Sequence, residues 1–172
     1  MPRTKTHEMK CFVGIDNGVS GAIGILSNTP KLFPTPTFKE QNYTKAKGNI
    51  SRVDHIELRK LLFRFHYYGG IKMCLLERPM VNPTRFKATT SALRALESTL
   101  IILEILEIPY AYIDSKEWQK ELLPKGIKGN AELKKASKEI ACRLFPSCKD
   151  VIEKQKDGDG LLIAEYCRRI YG

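Results

Sequence analysis

The sequence has no apolar stretch long enough to cross a bilayer. Its longest strongly apolar run, around Leu100 to Ile108, is broken by Glu104 and Glu107 and falls well short of the roughly 20 residues a spanning helix needs. Residues 1–10 are polar and basic and lack the apolar core of a secretory signal, so an intracellular setting is expected, in a cytoplasm or encoded by a virus, with an organelle left open. Paired CxxC spacings are absent. The cysteines number five (Cys11, Cys74, Cys142, Cys148 and Cys167), an odd count that argues against a disulfide framework and against a structural zinc site. Only three histidines occur, His7, His55 and His66, and they are scattered away from the notable acids, which leaves no histidine-based catalytic centre to argue for. Tryptophan occurs once, at Trp118. No internal repeat or low-complexity tract interrupts the chain.

What is present is positive charge. Lys and Arg number 29 against 19 Asp and Glu, a formal net charge of +10 on 172 residues, which favours a polyanionic partner such as nucleic acid. The 42% hydrophobic content suffices for a buried core, and no linker divides residues 11–172, so a basic tail over 1–10 followed by one domain is expected.

Hydrophobic patterning gives an element order. Cys11 to Ile15 reads as a buried strand, Asp16-Asn17-Gly18 as a turn, Gly21 to Leu26 as a second strand and Lys31 to Thr35 as a third, together an antiparallel meander. Lys39 to Ser51 is polar and reads as a loop. A helix capped by Ser51 or Asp54 runs to about His66, with Gly69-Gly70 ending it. Ile71 to Leu76 is a strand with Glu77 at its exit. Ala88 to Leu106 is a long helix, Tyr110 to Ile113 a strand, Ser115 to Leu122 a short helix, Pro124 to Gly129 a basic loop, and Ala131 to Phe145 and Asp159 to Ile170 two further helices. A meander followed by right-handed crossovers predicts an α/β fold: a mixed five-stranded sheet flanked by helices.

Acids stand at the mouths of these elements. Asp16 ends the first strand, Glu77 ends the fourth, and Asp157 and Asp159 open the last helix. If the first and fourth strands are parallel neighbours, Asp16 and Glu77 lie side by side and Asp159 can be brought over them. Such a cluster of like charges calls for cations, and oxygen-only ligation suits Mg²⁺, with Mn²⁺ able to substitute. Two ions about 4 Å apart would activate a water and stabilise the leaving oxygen of a phosphodiester. Each acid also has an ordinary reading: Asp16 as a turn residue, Glu77 as a partner for Arg78, and Asp159 as a helix cap.

The ordered motifs resemble those of the RuvC-type Holliday junction resolvases. Gly14 to Ala22 is similar to their GxDxGxxGA first motif, Leu75 to Pro79 to the second, where a strand ends in Glu, and Asp159 to Ala164 to the DALLIA-like start of the last helix. Ile113 to Lys120 and Leu133 to Pro146 are similar to segments of the phage and plant chloroplast members. The resemblance runs from about Cys11 to Tyr171. It implies an RNase H-like fold, a homodimer, and Mg²⁺-dependent paired nicking of four-way DNA junctions. It also implies Asp16, Glu77 and Asp159 as catalytic, metal-binding carboxylates. The pattern departs at the fourth acid: RuvC places it three residues before the last Asp, where Lys156 stands here, and Asp157 is the nearest substitute. Residues i and i+2 do not share a helix face, so Asp157 can join the site only if the helix begins at or after it.

For the DNA, Arg85 and Lys87 are candidate phosphate contacts and Phe86 a candidate wedge or stacking residue, with packing beneath the loop as the alternative. Lys116, Lys120, Lys125 and Lys128 form a second candidate basic run. Trp118 has two readings, core packing or stacking on DNA. The helix from Ala88 to Leu106 presents Leu93, Leu96, Leu100 and Leu103 near one face, part of it available to a second subunit. Other readings stay open. They are a nuclease for flaps, other branched DNA or RNA–DNA hybrids, and a non-catalytic junction-binding protein. A fragment of an actin-like kinase is disfavoured by length.

Overall fold

One glycine in each of the first two apolar runs, Gly14 and Gly24, leaves room on the sheet for the backbone of a helix. The computed structural model describes residues 10–45 and 47–172, so the basic segment expected over 1–10 lies outside the described residues except for Lys10. β1 (Cys11–Ile15) and β2 (Ala22–Leu26) are buried along their whole length and pair antiparallel. β3 (Pro30–Pro34) adds antiparallel to β2. After a separate hairpin and a helix, β6 (Ile71–Glu77) pairs parallel to β1, and β7 (Tyr110–Ile113) pairs parallel to β6. The strand order is therefore β3-β2-β1-β6-β7, the mixed five-stranded sheet expected.

The hairpin corrects one expectation. Residues 39–51, read as loop, contribute to β4 (Thr37–Gln41) and β5 (Asn49–Val53), which form their own two-stranded sheet. Its half-buried positions include Phe38, Glu40, Ile50 and Arg52. The polar pair is satisfied internally: Arg52 Nη1 bonds Glu40 Oε1 at 2.6 Å, and the Arg52 guanidinium lies over the Phe38 ring. Alternation of this kind carries half its inward positions as charges, so the hydrophobic pattern that normally marks a strand is missing.

Helices cover both faces. α1 (His55–Gly69), capped by Asp54 through Glu57 N at 3.1 Å, and α2 (Phe86–Ile105) bury Leu58, Leu62, Ala95, Ile102 and Leu103 with Val13, Ile23 and Leu76. On the other face lie α3 (Ser115–Leu122), α4 (Asn130–Leu144), a six-residue α5 (Lys149–Lys154) that hydrophobic patterning does not reveal, and α6 (Asp159–Tyr171). Their core joins Phe12, Leu75, Trp118, Ala141, Ile152, Leu161 and Leu162. Among the described residues no helix is long and apolar enough to cross a membrane. All five cysteines are free thiols.

α6 is the most deeply seated helix, and glycine is the reason. A Cβ on Gly14 would stand 2.2 Å from Ala164 N, and one on Gly24 would stand 2.2 Å from Gly160 O. No side chain fits at either position. The backbone of α6 therefore rests directly on β1 and β2, and the first residue of α6 is delivered to the end of β1.

Candidate metal centre

Register brings the first two acids together. Ile15 on β1 is opposite Leu76 on the parallel β6, so Asp16 and Glu77 leave the sheet as neighbours at the same edge. Asp16 is anchored by its backbone N–H bonding Ala22 O at 3.0 Å, and Gly21 N bonds Gly18 O at 3.1 Å to close the turn between β1 and β2. Asn17, next in that turn, donates from Nδ2 to Ala92 O of α2 at 3.1 Å, tying the turn to the opposite helical layer.

α6 supplies the others. Its first residue is Asp159, preceded by Gly158 as N-cap, so Asp157 lies outside the helix. The condition for Asp157 to join the cluster is thereby met. Its Oδ1 accepts the Asp159 N–H at 3.2 Å, which turns the carboxylate back over the helix start. One carboxylate oxygen from each of Asp16, Asp157 and Asp159 falls within 4.8 Å of the others. Glu77 stands beside this trio rather than within it, its Oε2 accepting a 2.8 Å hydrogen bond from Trp118 Nε1. Glu77 does not pair with Arg78; the Arg78 side chain turns outward, Nε lying 3.2 Å from Asp114 Oδ1.

Electrostatics mark the site as one short of positive charge. Burial pushes the Glu77 carboxyl up to about 7, and the charges of Asp16, Asp159 and Asp157 add to that against the Trp118 hydrogen bond. Burial, then the Asp157 charge, pushes Asp159 up to about 7, with the Ser137 hydroxyl working in the opposite direction. Asp16 is also raised by burial, although the Lys156 ammonium opposes the shift. Asp157, only 1% exposed, has one oxygen bonded and its Oδ2 buried without a hydrogen-bond donor. Asp16 Oδ2 is likewise buried with no well-formed hydrogen bond, and the Lys156 ammonium lies against both oxygens. Buried anionic oxygens without donors are costly, and a cation is what such a pair accommodates. The donor set is entirely oxygen, which fits a hard divalent ion of the Mg²⁺ or Mn²⁺ type.

Three further residues at this site do not announce themselves in the sequence as contributors. Lys156 Nζ lies 3.2 Å from Asp16 Oδ2 and 3.7 Å from Asp157 Oδ2. Ser137, 1% exposed on α4, donates its hydroxyl to Asp159 Oδ1 and accepts the Gly158 N–H at 3.2 Å. Lys134, one turn before Ser137, lies close enough to lower the Asp16 carboxyl. Their i, i+3 spacing puts Lys134 and Ser137 on one helix face, which is visible in the sequence; that this face meets α6 is not.

The candidate DNA-contacting residues fall into two groups. Arg85 lines a cleft of about 220 Å³ that opens beside Glu77, with Asn17, Arg78, Met80 and Asn82. Phe86 begins α2 and is 75% exposed, alongside the exposed Met80 and Val81, so it does not pack beneath the loop; Lys87 is exposed next to it. Lys116, Lys120 and Lys125 line a second groove of about 280 Å³ between α3 and the loop before α4, and Lys128 is exposed in that loop without lining the groove. Trp118 resolves as core, fully buried and bonded to Glu77.

No protein-family model matches the sequence, and no curated protein sequence matches it. Solved structures do. Thermus thermophilus RuvC in complex with a Holliday junction substrate superposes with a TM-score of 0.60 at 13% identity, over 94% of this chain and 96% of that one. Another T. thermophilus RuvC structure superposes with a TM-score of 0.55 at 14% identity, over 94% and 97%. The chain has the RuvC-type, RNase H-like fold.

Proposed function

We propose that the protein is a divalent-metal-dependent endonuclease acting on branched DNA, with four-way junctions as its principal substrate. The observation that carries this is the convergence of Asp16, Asp157 and Asp159 oxygens within 4.8 Å, with Glu77 beside them, at the sheet edge of a RuvC-type fold. Asp16, Glu77, Asp157 and Asp159 are the residues that would hold the ions, two per site. When bound, Mg²⁺ supplies charge neutralisation for the cluster, a more acidic water and stabilisation of the leaving oxygen. Hydrolysis would add a water to phosphorus and break the P–O3′ bond, leaving a 5′-phosphate and a 3′-hydroxyl.

The chain's own residues do the positioning. Trp118 fixes the orientation of Glu77, Ser137 that of Asp159, and the Asp159 N–H that of Asp157. Arg85 and Lys87 on one side, and Lys116, Lys120, Lys125 and Lys128 on the other, would hold phosphates, with the exposed Phe86 available to unstacked bases at a junction centre. The net charge of +10 supports a polyanionic partner. Paired nicks need paired sites, and a homodimer would supply them. α2 buries Ala95, Thr99, Ile102 and Leu103 and leaves Leu93, Ile101 and Ile105 exposed, apolar side chains suited to a second copy.

Junction, flap, duplex and RNA–DNA hybrid substrates incubated with the protein and Mg²⁺ test the reading. Preferential, metal-dependent cutting of the junction supports it. Preferential cutting of flaps or hybrids replaces the substrate while keeping the centre, and binding without cleavage of any of them removes the enzymatic reading.

A further inference from the structure

Lys156 belongs to neither helix. It sits in the short link between α5 and α6, directly before Asp157, with its side chain 37% exposed. The ammonium nevertheless reaches inward. It meets the two buried carboxylate oxygens of the cluster that have no other polar partner, Asp16 Oδ2 at 3.2 Å and Asp157 Oδ2 at 3.7 Å. A divalent ion held by these same two oxygens would need the space and the charge that Lys156 now occupies.

We propose that Lys156 is the built-in counter-ion of the metal-free site and competes with the divalent cation for Asp16 and Asp157. This rests on the metal-dependent reading above. Four carboxylates at one sheet edge repel one another, and a tethered ammonium relieves part of that strain whenever the ion is absent. A divalent cation placed among these carboxylates would meet the Lys156 charge at close range, an unfavourable contact in a partly buried setting. The exposed stem of Lys156 lets the ammonium swing to solvent, where lysine is well hydrated. Lys156 thus keeps the centre assembled without metal and raises the metal concentration needed to fill it.

The test compares wild type with Lys156→Met and with Lys156→Arg. Melting temperature is measured in EDTA, and Mn²⁺ affinity is measured by electron paramagnetic resonance of the free ion. The expected result is a Lys156→Met protein that melts lower than wild type in EDTA and binds Mn²⁺ roughly tenfold more tightly. Lys156→Arg, which keeps the charge, should stay near wild type in EDTA. If Lys156→Met is too unstable to purify, Lys156→Gln carries the same comparison. Unchanged or weaker Mn²⁺ binding by the neutral variant, with wild type binding normally, overturns the role of Lys156 alone. No Mn²⁺ binding by either protein overturns this role and the metal-dependent reading together.

Discussion

Trp118 Nε1 donates to Glu77 Oε2 at 2.8 Å, so the chain's single tryptophan is hydrogen-bonded to a carboxylate of the candidate metal centre. The indole is fully buried and the bond crosses from α3 to the end of β6. Trp118→Phe keeps most of the packing and removes the donor. The variant should lose roughly 1–3 kcal/mol of stability in metal-free buffer, the usual effect of leaving a buried acceptor unpaired. Chemical denaturation measures it, and a loss near zero would show the bond to be dispensable. In wild type, titration with Mg²⁺ should change the tryptophan emission, because the charge beside the ring changes.

The raised carboxyls predict an unusual pH profile for the metal-free protein. Glu77 and Asp159 titrate near 7 in the fold but near their ordinary 4.5 and 3.8 once unfolded. The folded state therefore holds protons that the unfolded chain has released. The stability these groups contribute is complete below about pH 4 and falls as pH rises, until it is lost above about pH 7. Melting temperature in EDTA should decline across that window. Mg²⁺ should reverse the slope, since the ion needs the deprotonated acids. A metal-free melting temperature that rises with pH through the same window would contradict the clustering of these acids.

Gly14→Ala tests how the site is positioned. The added methyl meets the α6 backbone at Ala164 N, with no flexible side chain to give way. Displacing α6 is the only relief, at a cost of about 3 kcal/mol, the upper end for overpacking. Because Asp159 is the first residue of that helix, Mn²⁺ affinity should fall together with stability. Lost stability with unchanged affinity would show that the seat of α6 does not set the geometry of the acids.

The two basic groups predict salt-dependent binding. Replacing Lys116, Lys120 or Lys125 singly with Ala should make the slope of log K against log salt shallower by about 1 for each phosphate that the missing ammonium neutralises, without altering metal affinity. Fluorescence anisotropy with a labelled junction reads the slope, and Mn²⁺ titration reads the metal. Slopes equal to wild type in all three variants would move the DNA away from the groove between α3 and the loop before α4.

Much of this architecture is legible in the sequence, because buried strands and acids at their ends are local signals. Asp16, Glu77 and Asp159 stand out since each closes or opens an apolar element, and the pairing of β1 with β6 does the rest. The β4–β5 hairpin is illegible for a physical reason: Glu40 and Arg52 neutralise each other at inward positions, so no apolar alternation appears. The hydroxyl of Ser137 and the ammonium of Lys134 are likewise hidden, because their partners lie 21 and more residues away in the chain. Lys156 is visible as a departure from the acidic pattern. Its contact with Asp16, at the opposite end of the chain, is not, since only the seating of α6 against β1 creates it.

The most direct measurement is cleavage of an end-labelled synthetic four-way junction by wild type and Asp16→Asn, each in Mg²⁺ and in EDTA. Wild type should give paired, symmetric nicks bearing 5′-phosphates in Mg²⁺ and none in EDTA, and the variant should lose at least ~100-fold in rate while still binding the junction. Tight junction binding by wild type with no cleavage in either Mg²⁺ or Mn²⁺ would contradict it.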